Sequence, residues 1–251
     1  MVVSYRYRGI NINMKTCIII LCNNNKDTII RAIDSITKID EYADHILVCD
    51  NESKDNTYEF LAEKFNIPKI STEEGSGLNP NFTTMYNNLR ITFIRKKYSN
   101  ISNSLNILIN MVLKDYDIIG FLDPKCWYEK NKIKLCKDIF DNKEVMCVIN
   151  DFFTHKNDGR KSTINRKSID NKSLYQNYIP DINFFVRKEA FFVLRNGFNE
   201  IFKKYIDYDM MIRLSKIGLI YHIQEPLHNI NYDDYSLEKD YLELIKRHHG
   251  R

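Results

Sequence analysis

The chain has no apolar run approaching the roughly 20 residues that span a bilayer, and its amino terminus lacks the apolar core of a signal peptide. Neither secretion nor membrane-embedded polymer synthesis is therefore expected, and the sequence predicts a cytoplasmic protein. The six cysteines include no Cys-x-x-Cys pair. Cys17, Cys22, Cys49 and Cys147 fall in or beside strand-like apolar runs, which reads as buried thiols in a reducing compartment rather than as disulfides or a zinc site. Cys126 has no partnered base nearby in sequence and is not a candidate nucleophile. An excess of one charge sign is also missing: 37 Lys and Arg against 33 Asp and Glu leave only +4, too little to argue for a nucleic-acid partner. Basic clusters such as Arg95-Lys96-Lys97 and Lys246-Arg247-His248-His249 read as solvated faces.

With 251 residues, of which 43% are hydrophobic and 28% charged, a single α/β domain with a sizeable core is the natural expectation. Lys15 to Cys22 is a short β-branched run that stops at Asn23-Asn24-Asn25, and it reads as a strand buried on both faces. Ile29, Ile30, Ile33 and Ile36 then recur at helical spacing. The unit repeats. His45-Ile46-Leu47-Val48-Cys49 ends at Asp50-Asn51-Glu52-Ser53, and Tyr58, Leu61, Ala62 and Phe65 follow at helical intervals. Ile91 to Ile94 and Asp117 to Leu122 are further strands, with a helix from Leu105 to Leu113 between them. This alternation predicts a mixed, mainly parallel sheet flanked by helices. In such sheets ligands collect beyond the carboxyl ends of the strands, which places Asn23 to Asn25, Asp50 to Ser53 and Asp123 to Lys125 around one crevice. Asp55 is read as a helix-start residue.

Several segments resemble family 2 glycosyltransferases in collinear order from about Lys15 to Leu227. The first strand with its Asn24-Asn25 loop is similar to the family's opening strand and loop. Val48-Cys49-Asp50-Asn51-Glu52-Ser53-Lys54-Asp55-Asn56-Thr57 is similar to its Val-Asp-x-Gly-Ser-x-Asp-x-Thr segment, with Glu52 where Gly is usual. Ser99 to Asn106 resembles a Gly-x-x-x-Ala-Arg-Asn stretch, with Leu105 in place of Arg. Leu122-Asp123-Pro124-Lys125-Cys126-Trp127-Tyr128 resembles the Leu-Asp-x-Asp-Asp-Trp-Tyr turn. Gly197-Phe198-Asn199-Glu200, Ile206-Asp207-Tyr208-Asp209 and Glu225-Pro226-Leu227 resemble the family's later motifs, with Ile206 where Glu is usual.

The resemblance implies a GT-A-type nucleotide-diphospho-sugar transferase: a single domain with an extension at 1–14, a nucleotide-binding half at 15–125 and an acceptor-side half at 126–251. It implies a nucleotide-sugar donor, UDP-linked in many relatives, and an inverting transfer. Asn23, Asn24, Asp50, Asn106 and Asp123 would contact the nucleotide, and Asp207 would be the general base. That role has physical logic, since inversion needs a carboxylate to take the acceptor hydroxyl's proton. The alternative is that Asp207, or Asp209, only caps its helix.

The turn lacks its second carboxylate, and Lys125 stands there instead. A departing diphosphate carries charge that relatives offset with a divalent ion held by oxygen ligands. Three explanations compete. Lys125 itself is a catalytic fixed charge against the diphosphate, without metal; or Asp151 completes a site for Mn or Mg; or the site is inactive and the chain is a sugar-nucleotide binder or scaffold. No cofactor is expected on the first reading. The acceptor is open: glycan, lipid-linked sugar, protein or modified nucleic acid. Abundant Ile, Asn, Lys and Tyr suggest an AT-rich viral or bacterial genome. Lys69 to Asn88 reads as a turn-rich loop, and Thr154 to Tyr178 as a polar loop or lid.

Overall fold

A computed structural model of the chain describes residues 14–38, 42–68, 81–165, 169, 173–174, 181–195, 197–231 and 239–250. Of the expected extension at 1–14, residues 1–13 lie outside them. The organising element is β1 (Thr16–Cys22), buried along almost its whole length. It is flanked in parallel register by β2 (His45–Asp50) and β5 (Ile118–Phe121), and β2 pairs in parallel with β4 (Leu89–Arg95). Because successive side chains point to opposite faces, Cys17 and Ile19 feed one core while Ile18, Ile20 and Cys22 feed the other.

Each core is closed by helices. α1 (Ile29–Thr37), α2 (Thr57–Phe65) and α4 (Lys132–Ile139) cover one face with Ile29, Ile33, Tyr58, Leu61, Ile133 and Cys136. On the other face, α3 (Ile101–Val112) contributes Leu105, Leu108 and Ile109, α5 (Lys188–Leu194) Ala190 and Phe191, α6 (Ile206–Leu214) Met210 and Met211, and α7 (Lys239–His248) Ile245. This is the mixed α/β architecture that the sequence predicts. Gly120 permits the tight centre: a Cβ there would lie 2.6 Å from both Ile18 Cδ1 and Phe185 Cε1.

The second half of the sheet is mostly antiparallel. β9 (Phe185–Arg187) joins β5 to β7 (Val145–His155), and β7 runs parallel to the long β10 (Leu219–Asn231), which pairs with β6 (Trp127–Tyr128). The register of β10 against β7 shifts around Pro226, consistent with a residue that cannot donate to a ladder.

Two stretches read as loops contain strands. Asn81–Tyr86 forms β3, antiparallel to β4 across Asn87-Asn88, whose φ values of 48° and 63° suit a tight hairpin turn. Its burial alternates residue by residue, the pattern of an edge strand with one wet face. Likewise β7 continues through Thr154 and His155 and turns at Gly159 (φ 83°) into β8 (Lys161–Ile164). Residues 69–80 and most of 166–180 lie outside the described residues. No helix among the described residues is long and apolar enough to cross a membrane.

Candidate active site

A cavity of about 420 Å³ opens beyond the carboxyl ends of β1, β2 and β5. Asn23, Asn25 and Asn51 line one side, Asp123, Pro124 and Lys125 a second, and Lys203, Lys204 and Tyr205 a third, over an apolar floor that includes Leu105, Phe121 and Ile206. The β1 and β2 ends are laced together. Asn23 Nδ2 donates to the Asn51 carbonyl (2.6 Å), the Asn24 backbone N–H donates to Ser53 Oγ (2.8 Å), and Asn24 Oδ1 accepts from Lys54 N–H (2.7 Å). Asn24 thereby serves the scaffold, whereas Asn23 faces the cavity. Asp55 accepts from the Thr57 N–H (3.0 Å) at the start of α2, the helix-start role that its position suggests.

Asp50 is 1% exposed and does not line the cavity. Its carboxylate accepts from the Ser53 hydroxyl and backbone N–H and lies 3.6 Å from Arg95 Nε. Burial raises its pKa above the usual carboxylate value, while the Ser53 hydrogen bonds and Arg95 work in the opposite direction. Asn106 is likewise turned to structure: its side-chain oxygen accepts from Phe198 N–H (2.7 Å) and its Nδ2 donates to Phe198 O (2.9 Å), pinning the Gly197–Glu200 segment to α3. It too is outside the cavity lining.

The Asp123–Cys126 segment is a β-turn. Cys126 N–H donates to Asp123 O (2.9 Å), with Pro124 at the position that favours its fixed φ. Asp123 Oδ1 accepts from Lys125 N–H (2.8 Å), Asp123 N–H donates to Asn183 Oδ1 (2.9 Å), and Arg31 Nη2 donates to Lys125 O (3.2 Å) while stacking 3.7 Å over Trp127. Lys125 therefore rides on a backbone held from several directions. Cys126 is fully buried, and desolvation drives its thiol pKa well above the usual value, which removes it as a nucleophile.

Asp207 sits in the first turn of α6, 5% exposed, next in sequence to cavity-lining Ile206 but not itself in the lining, and accepts a hydrogen bond from the Asp181 backbone N–H. The next acid along differs. Asp209 is fully buried and holds Arg213 (2.7 Å) and His249 (2.8 Å), joining α6 to the end of α7.

Asp151 is 1% exposed and bound to His222 (2.8 Å), away from the cavity lining. Among the described lining residues Asp123 is the one carboxylate, facing three lysines. No group of three His, Cys, Asp or Glu side chains suited to a metal occurs among the described residues. Asp123 is the one protein carboxylate among the described lining residues that could enter an Mg or Mn shell, which such ions complete with waters and substrate phosphates. Sequence reasoning missed Lys203, Lys204 and Tyr205, while Asn51 lies in the Asp50 to Ser53 stretch that it placed at the crevice. The lysine pair falls between two family-like motifs, and its one signal is its position directly ahead of Asp207. Tyr205 has φ 49°, a left-handed backbone that is rare for a bulky residue and concentrates at functional sites.

The sequence model described as glycosyl transferase family 2 matches residues 16–202. The chain belongs to that family. Among curated relatives of this family 2 glycosyltransferase, chondroitin synthase of Escherichia coli is 24% identical over 212 residues, covering 81% of this chain and 27% of that protein. Hyaluronan synthase of Pasteurella multocida is 23% identical over 226 residues, covering 87% and 20%. The chain thus spans about a quarter of the length of the curated relatives it matches. Among solved structures, S. aureus TarS 1–349 in complex with UDP-GlcNAc superposes with a TM-score of 0.64 at 13% identity, covering 93% of this chain and 65% of that one. The same TarS fragment in complex with UDP gives 0.61 at 14%, covering 93% and 64%. These neighbours fix the fold as GT-A.

Proposed function

We propose that this family 2 protein transfers a sugar from a UDP-linked donor to an acceptor hydroxyl, with inversion, in a site where lysines rather than a divalent ion offset the charge of the departing diphosphate. The observation that carries this is the cavity wall: Lys125, Lys203 and Lys204 with Asp123 as the one carboxylate among the described lining residues, next to the start of the helix that bears Asp207. In the reaction the acceptor oxygen attacks the anomeric carbon, the bond from that carbon to the diphosphate oxygen breaks, and Asp207 takes the acceptor's proton. Ammonium groups fixed at the cavity wall favour the diphosphate most as it gains charge. Asp123 and Asn23 would meet the nucleoside side. The UDP and UDP-GlcNAc complexes of TarS support the donor class. The names chondroitin synthase and hyaluronan synthase support a glycan hydroxyl as acceptor. All six cysteines are buried free thiols, which supports a reducing, cytoplasmic setting.

The test is UDP release from UDP-sugars on glycan acceptors, in chelator and with added Mn. Asp207→Asn should cut transfer by ~10²–10⁴-fold with UDP binding intact. Lys125→Ala should weaken UDP by about 10-fold and leave uridine unchanged. Equal losses for UDP and uridine would sink the charge role of Lys125. Binding without transfer would favour a sugar-nucleotide-binding protein instead.

A further inference from the structure

The residues between the cavity's two functional edges form a short turn with an unusual number of fixed bonds. Asp181 Oδ1 accepts from the Asn183 backbone N–H (3.0 Å) and from Asn183 Nδ2 (2.6 Å), an Asx-type turn in which a side chain replaces a backbone acceptor. That geometry aims the Asn183 side-chain oxygen at the Asp123 N–H (2.9 Å) and leaves the Asp181 N–H donating to the Asp207 carboxylate. Ile182, the middle residue, lines the cavity.

The turn is gripped from behind. Asp181 Oδ2 lies 2.9 Å from His228 Nε2, and His228 Nδ1 is 2.9 Å from Asn150 Nδ2. With the Asn150 amide nitrogen and Lys132 Nζ (3.4 Å) at Nδ1, the Nε2 edge of the ring is the one turned to the Asp181 carboxylate. The His228 ring, 1% exposed, stacks on Phe152 with centroids 5.1 Å apart. Lys132, fully buried on α4, donates to the Asn183 carbonyl (2.9 Å) and sits 4.1 Å over the Tyr128 ring. Anchors on β7, β10 and α4 therefore converge on three residues.

We infer that Asp181 and Asn183 are positioning residues that hold the base Asp207 and the nucleotide-side turn at Asp123 in register, each through its own bond. The inference rests on the transferase reading above for the roles of Asp207 and Asp123. It assigns different kinetic signatures to the two residues that flank Ile182. Loss of the Asp181 side chain slackens the turn whose N–H orients the base and also frees the Asn183 amide that it aims at Asp123, so it falls on the chemical step and on donor binding together. Loss of the Asn183 side chain releases the Asp123 backbone, so it falls on donor binding.

The experiment compares Asp181→Ala, Asp181→Asn and Asn183→Ala by steady-state kinetics and by calorimetry with UDP. Asp181→Ala should lower kcat by ~10–100-fold, the scale of a displaced reacting group, and raise donor KM as well, because the Asn183 amide loses its anchor. Asp181→Asn keeps an Oδ1 acceptor for Asn183 N–H and should restore most of kcat. Asn183→Ala should raise donor KM and UDP Kd by about 10-fold with kcat nearly unchanged. A loss of kcat in Asn183→Ala as deep as in Asp181→Ala, or an Asn variant as impaired as Ala, would overturn the inference. A wild-type protein that binds UDP but transfers nothing would defeat the transferase reading separately. The turn would then be judged by UDP affinity alone, where an unchanged Kd in Asn183→Ala overturns its role.

Discussion

Asparagine does much of the work that glycine does elsewhere. The chain has only eight glycines, and among the described non-glycine residues with left-handed φ are Asn24, Asn56, Asn66, Asn87, Asn88 and Asn131. Asparagine tolerates that region through local hydrogen bonds. Glu52 does not share that advantage, yet it has φ 55°, at the motif position where family 2 relatives use Gly. The loop at Glu52 therefore holds a left-handed conformation that glycine would adopt at no steric cost. Glu52→Gly should raise stability by about 1 kcal/mol, the left-handed penalty less the entropy that glycine loses on folding. The exposed Glu52–Lys97 pair at 3.3 Å subtracts little. Urea denaturation checks it, and a lowered midpoint would mean that the ion pair outweighs the backbone strain. At this scale the sequence is only half legible. Lys125 stands out because it replaces an expected carboxylate. The commitments of Asn106 to Phe198 and of Asp50 to Arg95 depend on partners far along the chain, which no local pattern reveals.

Strands β1 to β4 are tied together at their far end by His45. It is 6% exposed, bonded to Thr92 Oγ1 (2.8 Å), which meets Thr83 Oγ1 (2.8 Å), and its ring stacks on Tyr116 at 5.4 Å. Burial first, and the charge of Arg90 second, lower its pKa from 6.5 to about 4. Between those values the unfolded chain binds a proton that the folded chain refuses, so stability is full above pH 6.5 and declines on acidification toward pH 4. The loss is on the order of 3 kcal/mol across the window. Asp50, with its raised pKa, contributes in the opposite sense. The His45 share is therefore read as the difference between wild type and His45→Gln in chemical denaturation at pH 7 and 4.5; a variant with the same pH slope would refute it. The elements themselves divide by environment. β1, β2, β4 and β5 are buried on both faces and announce themselves as apolar runs. β3 keeps one wet face and β8 is exposed along most of its length, so their polar residues read as loop, although Asn87-Asn88 is a recognisable hairpin signal.

The whole molecule places its cavity where the parallel half of the sheet meets the segment from Ile182 to Ile206, so residues distant in sequence face the same ligand. Motif order along the chain makes that general location legible from sequence. The charge of the third wall is not, because Lys203 and Lys204 gain meaning only once the chain folds back over β1 and β5. A ligand touching both regions stabilises the fold as a unit. At a free concentration of 100 times its Kd, UDP should add about 2.7 kcal/mol, or roughly 5–10 °C in Tm for a domain of this size. With three lysines as counter-charge, that shift should persist in chelator, shrink as salt is raised, and diminish in a Lys203→Ala, Lys204→Ala double variant more for UDP than for uridine. A shift that requires Mn would remove the lysine wall as the diphosphate's partner and direct attention to a carboxylate beyond Asp123. A shift equal for UDP and uridine would mean that the cavity reads the nucleoside and leaves the diphosphate in solvent.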